Sequence, residues 1–289
     1  MRRDLLRTHN RQRFNEDDLI RGLHKIVETF PHDIVERGIN RNWMQYVFIL
    51  KEIYPFLSVL PEDCQFCDIG AGAAVVPLVL AQLGFGVNLV DRWSEYATDF
   101  DNQMGTIEDF VSRFRSFGVN YFSCDFMAEH IPLPGESQDL VSAFSVFEHL
   151  PRPRILLDEI WRLLKPGGLV VILVPNTANL QNRIRLLLGK SPHPHDWKDF
   201  YSPTFFGHYR ELTRDELRQV FENEGYKILA LHSSNSSQTN TKRAGGKWGK
   251  GWKGESLNQL IRGLYLLAVQ LHPSLRYDLL LIAQKPEGV

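Results

Sequence analysis

The amino-acid sequence predicts an α/β protein built on a doubly wound, seven-stranded sheet, mostly parallel with an antiparallel last strand and with helices on both faces. The first observation is a regular alternation of short apolar segments with segments of helical periodicity, which is typical of βαβ units. The second is a glycine-rich turn directly after the first apolar segment. The third is the composition, in which 43% hydrophobic and 23% charged residues exclude fibrous and disordered classes.

The first 60 residues predict helices that form a cap in front of the main domain, which we place at residues 61–289. Apolar residues recur there at helical spacing. They are Leu19, Ile20, Leu23, Ile26 and Val27 in one segment and Trp43, Val47, Leu50 and Ile53 in another.

The alternation begins after this cap. Strands are predicted at residues 65–69, 86–90, 119–124, 140–144, 169–174, 227–231 and 277–283. Helices are predicted at residues 75–83, 107–117 and 154–164, with a turn at 165–168. Thr213 and Glu216 have capping-box spacing and predict a fourth helix, which should end near Gly225.

Two segments interrupt the alternation and are predicted to be insertions, at residues 175–210 and 233–272. The first holds four prolines and three histidines, and a connection of that length is usually functional or disordered. The second contains a basic run with two tryptophans, followed by an apolar helix at 257–271. We expect a solvated loop and a packed helix. The alternative is that residues 242–271 contact a membrane or another anionic surface.

The glycine-rich turn predicts a nucleoside-binding site. Gly70 and Gly72 let the backbone turn tightly and approach a ligand. Nineteen residues after Gly72, the second strand ends in Asp91, where a carboxylate can accept hydrogen bonds from a ribose. A dinucleotide fingerprint would need a third glycine where Val75 stands, which disfavours a nicotinamide cofactor.

With these segments in place, the chain resembles the class I S-adenosylmethionine-dependent methyltransferases, in particular the small-molecule branch of quinone-biosynthesis enzymes. The shared motifs are Asp68-Ile69-Gly70-Ala71-Gly72, Asp91, Cys124-Asp125-Phe126, Asp139-Leu140-Val141, Phe147-Glu148-His149-Leu150 and Leu163-Leu164-Lys165-Pro166-Gly167-Gly168. A looser similarity of residues 273–278 is to glycan-modifying methyltransferases. The resemblance implies the cofactor S-adenosyl-L-methionine.

The resemblance also implies a set of cofactor contacts. Asp68 and residues 70–72, which include Ala71, would hold the methionine end, and Asp91 the ribose. Asp125 would accept from the adenine amino group, with Phe126 beside it. The same cofactor site would include Arg92 and Ser145. Ala73 and Ala74 depart from the pattern, since the family often has a third glycine at the latter position.

Two histidines are candidates for a catalytic base. His149 follows the fourth strand together with Glu148, at the edge where such sheets bind ligands, and either accepts a proton or shapes the pocket. His208 lies just before the capped helix, followed by Tyr209 and Arg210. We assign Glu148, His208, Tyr209 and Arg210 to acceptor binding, with Arg210 suited to an anionic group.

No metal site is predicted. Some quinone methyltransferases carry a further carboxylate that helps to hold a metal, and Ser145 occupies that position here. The spacing of His193, His195 and Asp196 from His208 fits no short zinc pattern. Cys64 and Cys67 lie three apart on one strand and should point to opposite faces, so we expect core cysteines.

The charges nearly cancel, with 33 Lys and Arg against 34 Asp and Glu, so nucleic acid is not expected as a partner. The odd count of three cysteines predicts a reducing, cytoplasmic location. No apolar run has the length of an export signal or membrane span.

The predicted function is therefore methyl transfer to a small molecule or glycan, with oxygen as the preferred acceptor atom. Two alternatives compete with this prediction. One is a cofactor-binding scaffold whose basic loop engages RNA or a protein. The other is a nucleotide-sugar or nicotinamide enzyme on the same sheet.

Overall fold

A computed structural model describes residues 15–30, 32, 35, 39–57, 60, 63–92, 107–192, 207–235 and 255–288. The strands are β1 (Gln65–Ile69), β2 (Gly86–Asp91), β3 (Asn120–Ser123), β4 (Gln138–Phe144), β5 (Leu164–Pro175), β6 (Lys227–Ser234) and β7 (Asp278–Gln284). The α-helices are α1 (Glu16–Glu28), α2 (Asn40–Leu57), α3 (Val75–Gln82), α4 (Ile107–Ser116), α5 (Pro153–Leu163), α6 (Leu180–Leu187), α7 (Arg214–Asn223) and α8 (Glu255–Leu271).

The seven strands form one sheet in the order β3-β2-β1-β4-β5-β7-β6. The first five strands are parallel, whereas β7 runs antiparallel between β5 and β6. The predicted fold class is thus confirmed. The carboxyl ends of the parallel strands meet at one edge, which is where open α/β sheets bind their ligands.

The predicted N-terminal cap is present as α1 and α2. Asn15 and Asp18 form a capping box at the start of α1, whose buried residues include Leu19 and Leu23. At Gly22, where α1 packs on α3, a Cβ would lie 3.1 Å from Val79 Cγ1. This close packing merges the cap with the core on one sheet face. The domain boundary after residue 60 and the limits of the insertions stay predictions.

Two hydrophobic clusters cover the two faces of the sheet. One includes the cap helices and α3, and the other includes α5 and α7. Cys64 belongs to the first cluster and Cys67 to the second, and all three cysteines are buried and free. The prediction that the two thiols face opposite sides is confirmed.

Two elements differ from their sequence-based boundaries. The turn expected at 165–168 lies inside β5, which begins at Leu164 because Gly167, at φ +78°, donates its N–H to Lys285 O. The connection after β5 contains the short helix α6, which is capped by the Asn179 side chain. The basic run at 242–253 lies outside the described residues. Among the residues that the structure describes, no helix combines the length and hydropathy needed to cross a bilayer.

Candidate functional site

A cavity of about 190 Å³ opens at the carboxyl edge of β1 and β4. Its walls come from the loop after β1, from the end of β4 and from helix α2 of the cap. Lining residues include Asp68, Gly70, Ala71, Gly72, Ser145, Asn42, Gln45 and Tyr46. Five of the predicted cofactor residues therefore surround one cavity, and the cap closes it from the side.

The backbone of the loop turns through left-handed conformations at three positions. Gly70 has φ +74°, and a Cβ there would overlap a methyl group of Val146. Gly72 has φ +49°, and a Cβ there would meet no atom within 4 Å, so its missing side chain leaves open space in the cavity wall. Ala74 has φ +51° as the N-cap of α3. The alanine that replaces the third glycine of the family pattern therefore stands in a left-handed conformation, which glycine would adopt without strain.

Asp68 lies at the floor of the cavity and is almost fully buried. Burial raises the pKa of its carboxyl to about 7, while a hydrogen bond from Ser142 Oγ opposes that rise. Ser142 is the register neighbour of Asp68 on β4. A buried carboxylate with one donor attracts a cationic group, and the amino group of a methionine moiety is such a group.

Asp91 is fixed against the glycine loop at the end of β2. Its Oδ2 accepts a 2.7 Å hydrogen bond from Gly72 N–H, and burial raises its pKa. Arg92 Nη1 pairs with Asp125 Oδ2 at 2.9 Å, which joins the ends of β2 and β3. Phe126, which follows Asp125, is mostly buried in the second core cluster. These four residues lie at or just after the ends of β2 and β3, outside the lining of the cavity, and their contacts with ribose and adenine stay predictions.

A second group of polar side chains lies beyond Ser145. Glu148 and His149 belong to the short 3₁₀ turn Phe147–His149, and His208 comes from a later segment of the chain. One ligand atom from each of Glu148, His149 and His208 lies within 4.8 Å of the others. The two imidazole rings meet edge to face at 4.7 Å. The sequence placed these residues in separate segments, and the fold brings them together because Tyr209 N–H donates to Glu148 O at 2.7 Å.

Glu148 lies beneath the two histidines. It is 2% exposed, and its Oε2 has no hydrogen-bond partner among the described residues. Burial raises its pKa to about 7. A buried oxygen without a partner costs free energy unless a proton or a cation is held there.

His208 is oriented by Glu211. Its Nδ1 lies 2.6 Å from Glu211 Oε1, and this hydrogen bond is the main cause that raises the pKa of His208. His149 Nδ1 lies 3.3 Å from Gly207 O. When these rings are neutral, the contacts at Nδ1 leave Nε2 as the basic nitrogen of each.

The arrangement can accept a proton from a bound hydroxyl or hold a divalent cation, since a carboxylate and two imidazoles suit both roles. Tyr209 and Arg210 are exposed beside this group. Their contact with an acceptor stays a prediction, as does the absence of a metal. His193, His195 and Asp196 lie outside the described residues.

Sequence reasoning missed Ser142, Glu211 and the cap residues Asn42, Gln45 and Tyr46. Ser142 could have been found from its place on β4 opposite Asp68 once the strand register was known. Glu211 lies only three residues after His208, at a spacing that permits the observed contact. The cap residues carry no local signal, because only the docking of α2 brings them to the cavity.

The residues fit S-adenosylmethionine. Asp68 and Gly72, which has no side chain, suit the methionine end. Asp91, which receives backbone hydrogen bonds from Gly72 and Arg92, has a carboxylate that suits a ribose hydroxyl. The cavity is smaller than the ~300–1,000 Å³ of pockets that enclose whole drug-sized ligands, so it accommodates part of the cofactor.

The methyltransferase domain family matches residues 12–231 of the chain. A ubiquinone biosynthesis O-methyltransferase of Parvibaculum lavamentivorans is 28% identical, over 48% of this chain and 53% of that protein. A ubiquinone/menaquinone biosynthesis C-methyltransferase of Nitrosospira multiformis is also 28% identical, over 49% and 52%. The chain spans about half the length of these curated relatives.

Two solved structures share the fold. A Haemonchus contortus phosphoethanolamine N-methyltransferase in complex with S-adenosyl-L-methionine has a TM-score of 0.52 at 15% identity, covering 88% of this chain and 60% of that one. The [4+2]-cyclase SpnF has a TM-score of 0.53 at 17% identity, covering 94% of each chain. Identities this low show the fold alone.

Proposed function

Because the chain belongs to the methyltransferase domain family, we propose that it transfers the methyl group of S-adenosylmethionine to a hydroxyl oxygen of a small molecule. The observation that carries this proposal is the cluster of Glu148, His149 and His208, which begins three residues after the cavity residue Ser145. Hydroxyl methylation is helped by a base that takes the acceptor proton, and two imidazoles beside a carboxylate can supply one.

The chemistry divides between cofactor and protein. When bound, the cofactor would supply a methyl group on a sulfonium, whose carbon–sulfur bond breaks to leave a neutral thioether. The acceptor oxygen would bond to that methyl carbon, and its proton would pass to His208 Nε2. Glu211 at His208 Nδ1 stabilises the imidazolium that results. The protein otherwise aligns the two reactants and excludes water.

The base favours oxygen over nitrogen as the acceptor atom. A neutral amine attacks through its lone pair and loses its proton afterwards, whereas a hydroxyl is a weak nucleophile until its proton begins to leave. We therefore assign Glu148, Tyr209 and Arg210 to contacts with a polyhydroxylated small molecule or glycan. The names of the two relatives include both O- and C-methylation, so they do not decide this point.

The test is a screen of hydroxylated acceptors with radiolabelled S-adenosylmethionine. Variants of the protein are then assayed with the acceptor that is methylated. His208→Gln should lower kcat by roughly 10²–10⁴ and leave cofactor affinity intact. His149→Gln should lower kcat less, since His149 Nδ1 lies against the Gly207 carbonyl, whereas His208 Nδ1 is held by the Glu211 carboxylate. His130→Gln, a change at an exposed histidine remote from the cluster, is the control. Full turnover in both cluster variants from pH 6 to 9 would disprove a proton-transfer role.

An assay with a chelator decides whether the cluster accepts a proton or holds a divalent cation. The proton that His208 takes up would give an imidazolium stabilised by Glu148 and Glu211, so the cluster needs no metal for this step, and we expect EDTA to leave the rate unchanged. A rate lost with EDTA and restored by a divalent ion would instead make Glu148, His149 and His208 metal ligands.

Methyl transfer and the alternative of a cofactor-binding scaffold, which would bind S-adenosylmethionine without consuming it, both require that cofactor. Calorimetry separates these from the nicotinamide alternative, which predicts a response to NADH and none to S-adenosylmethionine. We also place the protein in the cytoplasm, a proposal that the three free, buried cysteines support.

A further inference from the structure

Seven of the nine most exposed large apolar side chains in the described part of the chain lie in two short segments. They are Leu186, Leu187 and Leu188 at the end of α6, and Leu264, Leu266, Leu267 and Leu271 on α8. Leu187 is 86% exposed and Leu271 is 75% exposed. Single exposed leucines are ordinary, but such a concentration marks an interaction surface.

In its described part, helix α8 carries apolar residues on both its inner and its outer face. Val269 is buried, and Tyr265 is partly buried near the carboxylate of Asp278. Leu264, Leu267 and Leu271 follow one stripe on the opposite face, which is exposed. The inner residues hold the helix on the protein, so the outer leucines are available to something else.

The two leucine groups belong to neighbouring elements. Arg183 Nη2, one turn before the leucines of α6, lies 3.3 Å from Ser274 Oγ, three residues after Leu271. Asn176 Nδ2 donates to Ser274 O and Arg276 O, which fixes the start of α6 to the exit of α8. We call the exposed leucines of both segments, with Arg183 and Lys190 beside them, the leucine surface.

The charge around the leucine surface has one sign. Residues 180–192 and 263–277 contain no Asp or Glu, although the chain has 34 in 289 residues. Arg183, Arg185 and Lys190 lie in the first of these segments. A two-fold pair of identical chains would bring these cations together, which is unfavourable, whereas anionic lipid headgroups would neutralise them.

We propose that the leucine surface docks on an anionic lipid bilayer, with the leucines inserted at the headgroup boundary and Lys190 among the phosphates. The surface lies at the same sheet edge as the site, because α6 follows the end of β5 and α8 precedes Asp278 of β7. The bilayer would therefore deliver a lipid-bound acceptor to the cluster around His208. This last step rests on the proposed function, whereas the docking itself does not.

The experiment is cosedimentation of the full chain with vesicles, without cofactor or acceptor. Binding is expected to vesicles with about one third phosphatidylglycerol and not to pure phosphatidylcholine, and to weaken as salt rises. The double change Leu187→Glu and Leu271→Glu should lower the bound fraction at least roughly tenfold. Lys190→Gln should weaken binding about fivefold.

Met44→Glu is the matched control, because Met44 is 49% exposed on α2, outside the leucine surface. It should bind vesicles as the unchanged chain does, and equal thermal midpoints would show that all variants are folded. Equal vesicle binding by the double variant would overturn the proposal, as would no binding by the unchanged chain. A dimer that the double variant converts to a monomer, without any lipid binding, would identify the surface as a contact between copies.

Discussion

Asp68, near the end of β1, and Glu148, in the 3₁₀ turn that follows the neighbouring strand β4, occupy comparable places and yet differ in what surrounds them. Each is a buried carboxyl at the ligand-binding edge of the sheet, and burial raises the pKa of each to about 7. Asp68 receives a hydrogen bond from Ser142, whereas one oxygen of Glu148 has no partner among the described residues. The comparison indicates a cofactor end that is already organised and an acceptor end that is completed by its ligand or by a proton.

The largest effect is expected at the organised end. Gly72→Val should lower cofactor affinity more than 100-fold, because its methyl groups would fill the open space in the cavity wall. Isothermal titration with S-adenosylmethionine measures the loss. Gly118→Val is matched to it, since Gly118 has φ +69° and also has no atom within 4 Å of its added Cβ, yet lies outside the cavity. Equal affinity in both variants would show that the loop serves only the fold.

At the acceptor end, Glu211→Gln should lower kcat by about 10–100-fold and leave cofactor affinity unchanged. The hydrogen bond from Glu211 raises the pKa of His208, so its loss should shift the rising limb of the pH–rate profile to lower pH. Glu222→Gln, a change at an exposed position of α7, is the control. A lower rate with an unmoved pH profile would mean that Glu211 supports the loop and does not position the base.

Asp68→Asn tests the comparison through stability. A carboxyl whose folded pKa is raised stabilises the fold below its unfolded pKa, near 3.8, and loses that contribution as the pH rises through about 7. At pH 8 the Asn variant should therefore exceed the unchanged protein by up to about 4 kcal/mol in unfolding free energy, with little difference near pH 4. Urea titrations at both pH values measure this.

The same change should weaken cofactor binding, because the neutral amide no longer attracts a cationic amino group. Glu148→Gln is expected to raise stability at pH 8 by a similar amount without affecting cofactor affinity. If both substitutions alter cofactor affinity equally, the two carboxyls belong to one site and the division proposed here is wrong.

The smallest effect concerns Ala74. The left-handed conformation of Ala74 costs roughly 1–2 kcal/mol, and glycine would remove that strain. Glycine would also lose more conformational entropy on folding, which costs about 0.5–1 kcal/mol. Ala74→Gly should therefore change the unfolding free energy by about 1 kcal/mol or less, in the stabilising direction. Thermal unfolding detects it, and a clear destabilisation would show that the alanine methyl packs favourably.

The cofactor end was predictable from sequence because its parts are local. Gly70, Gly72 and Asp91 lie within 22 positions of one another, and the segments around them indicate a strand, a turn, a helix and a second strand in that order. At the acceptor end, Glu148 and His208 are 60 positions apart and are brought together by the hydrogen bond from Tyr209 N–H to Glu148 O. The pattern of apolar residues in the sequence does not predict such a contact. Only the fold could show that the two candidate bases share one cluster.

Helix α6 was missed for a different reason. Its apolar residues Leu180, Ile184 and Leu187 do recur at helical spacing, but they lie in a connection with four prolines, and the one buried residue of the helix is Asn182. It is held by polar contacts of buried asparagines, including Asn179 at its N-cap. Patterns of hydrophobic residues predict elements that pack into a core, and this helix does not.

The position of β7 has a consequence for how the sheet is assembled. This strand lies between β5 and β6 although β6 precedes it in sequence by more than 40 residues, so β6 joins the rest of the sheet only through β7. During synthesis, the exposed side of β5 must therefore wait while β6, α8 and the intervening chain leave the ribosome. An unpaired apolar strand edge is prone to pair with other chains, and folding of this protein is expected to depend on chaperones that shield β5 until the last pairing is made.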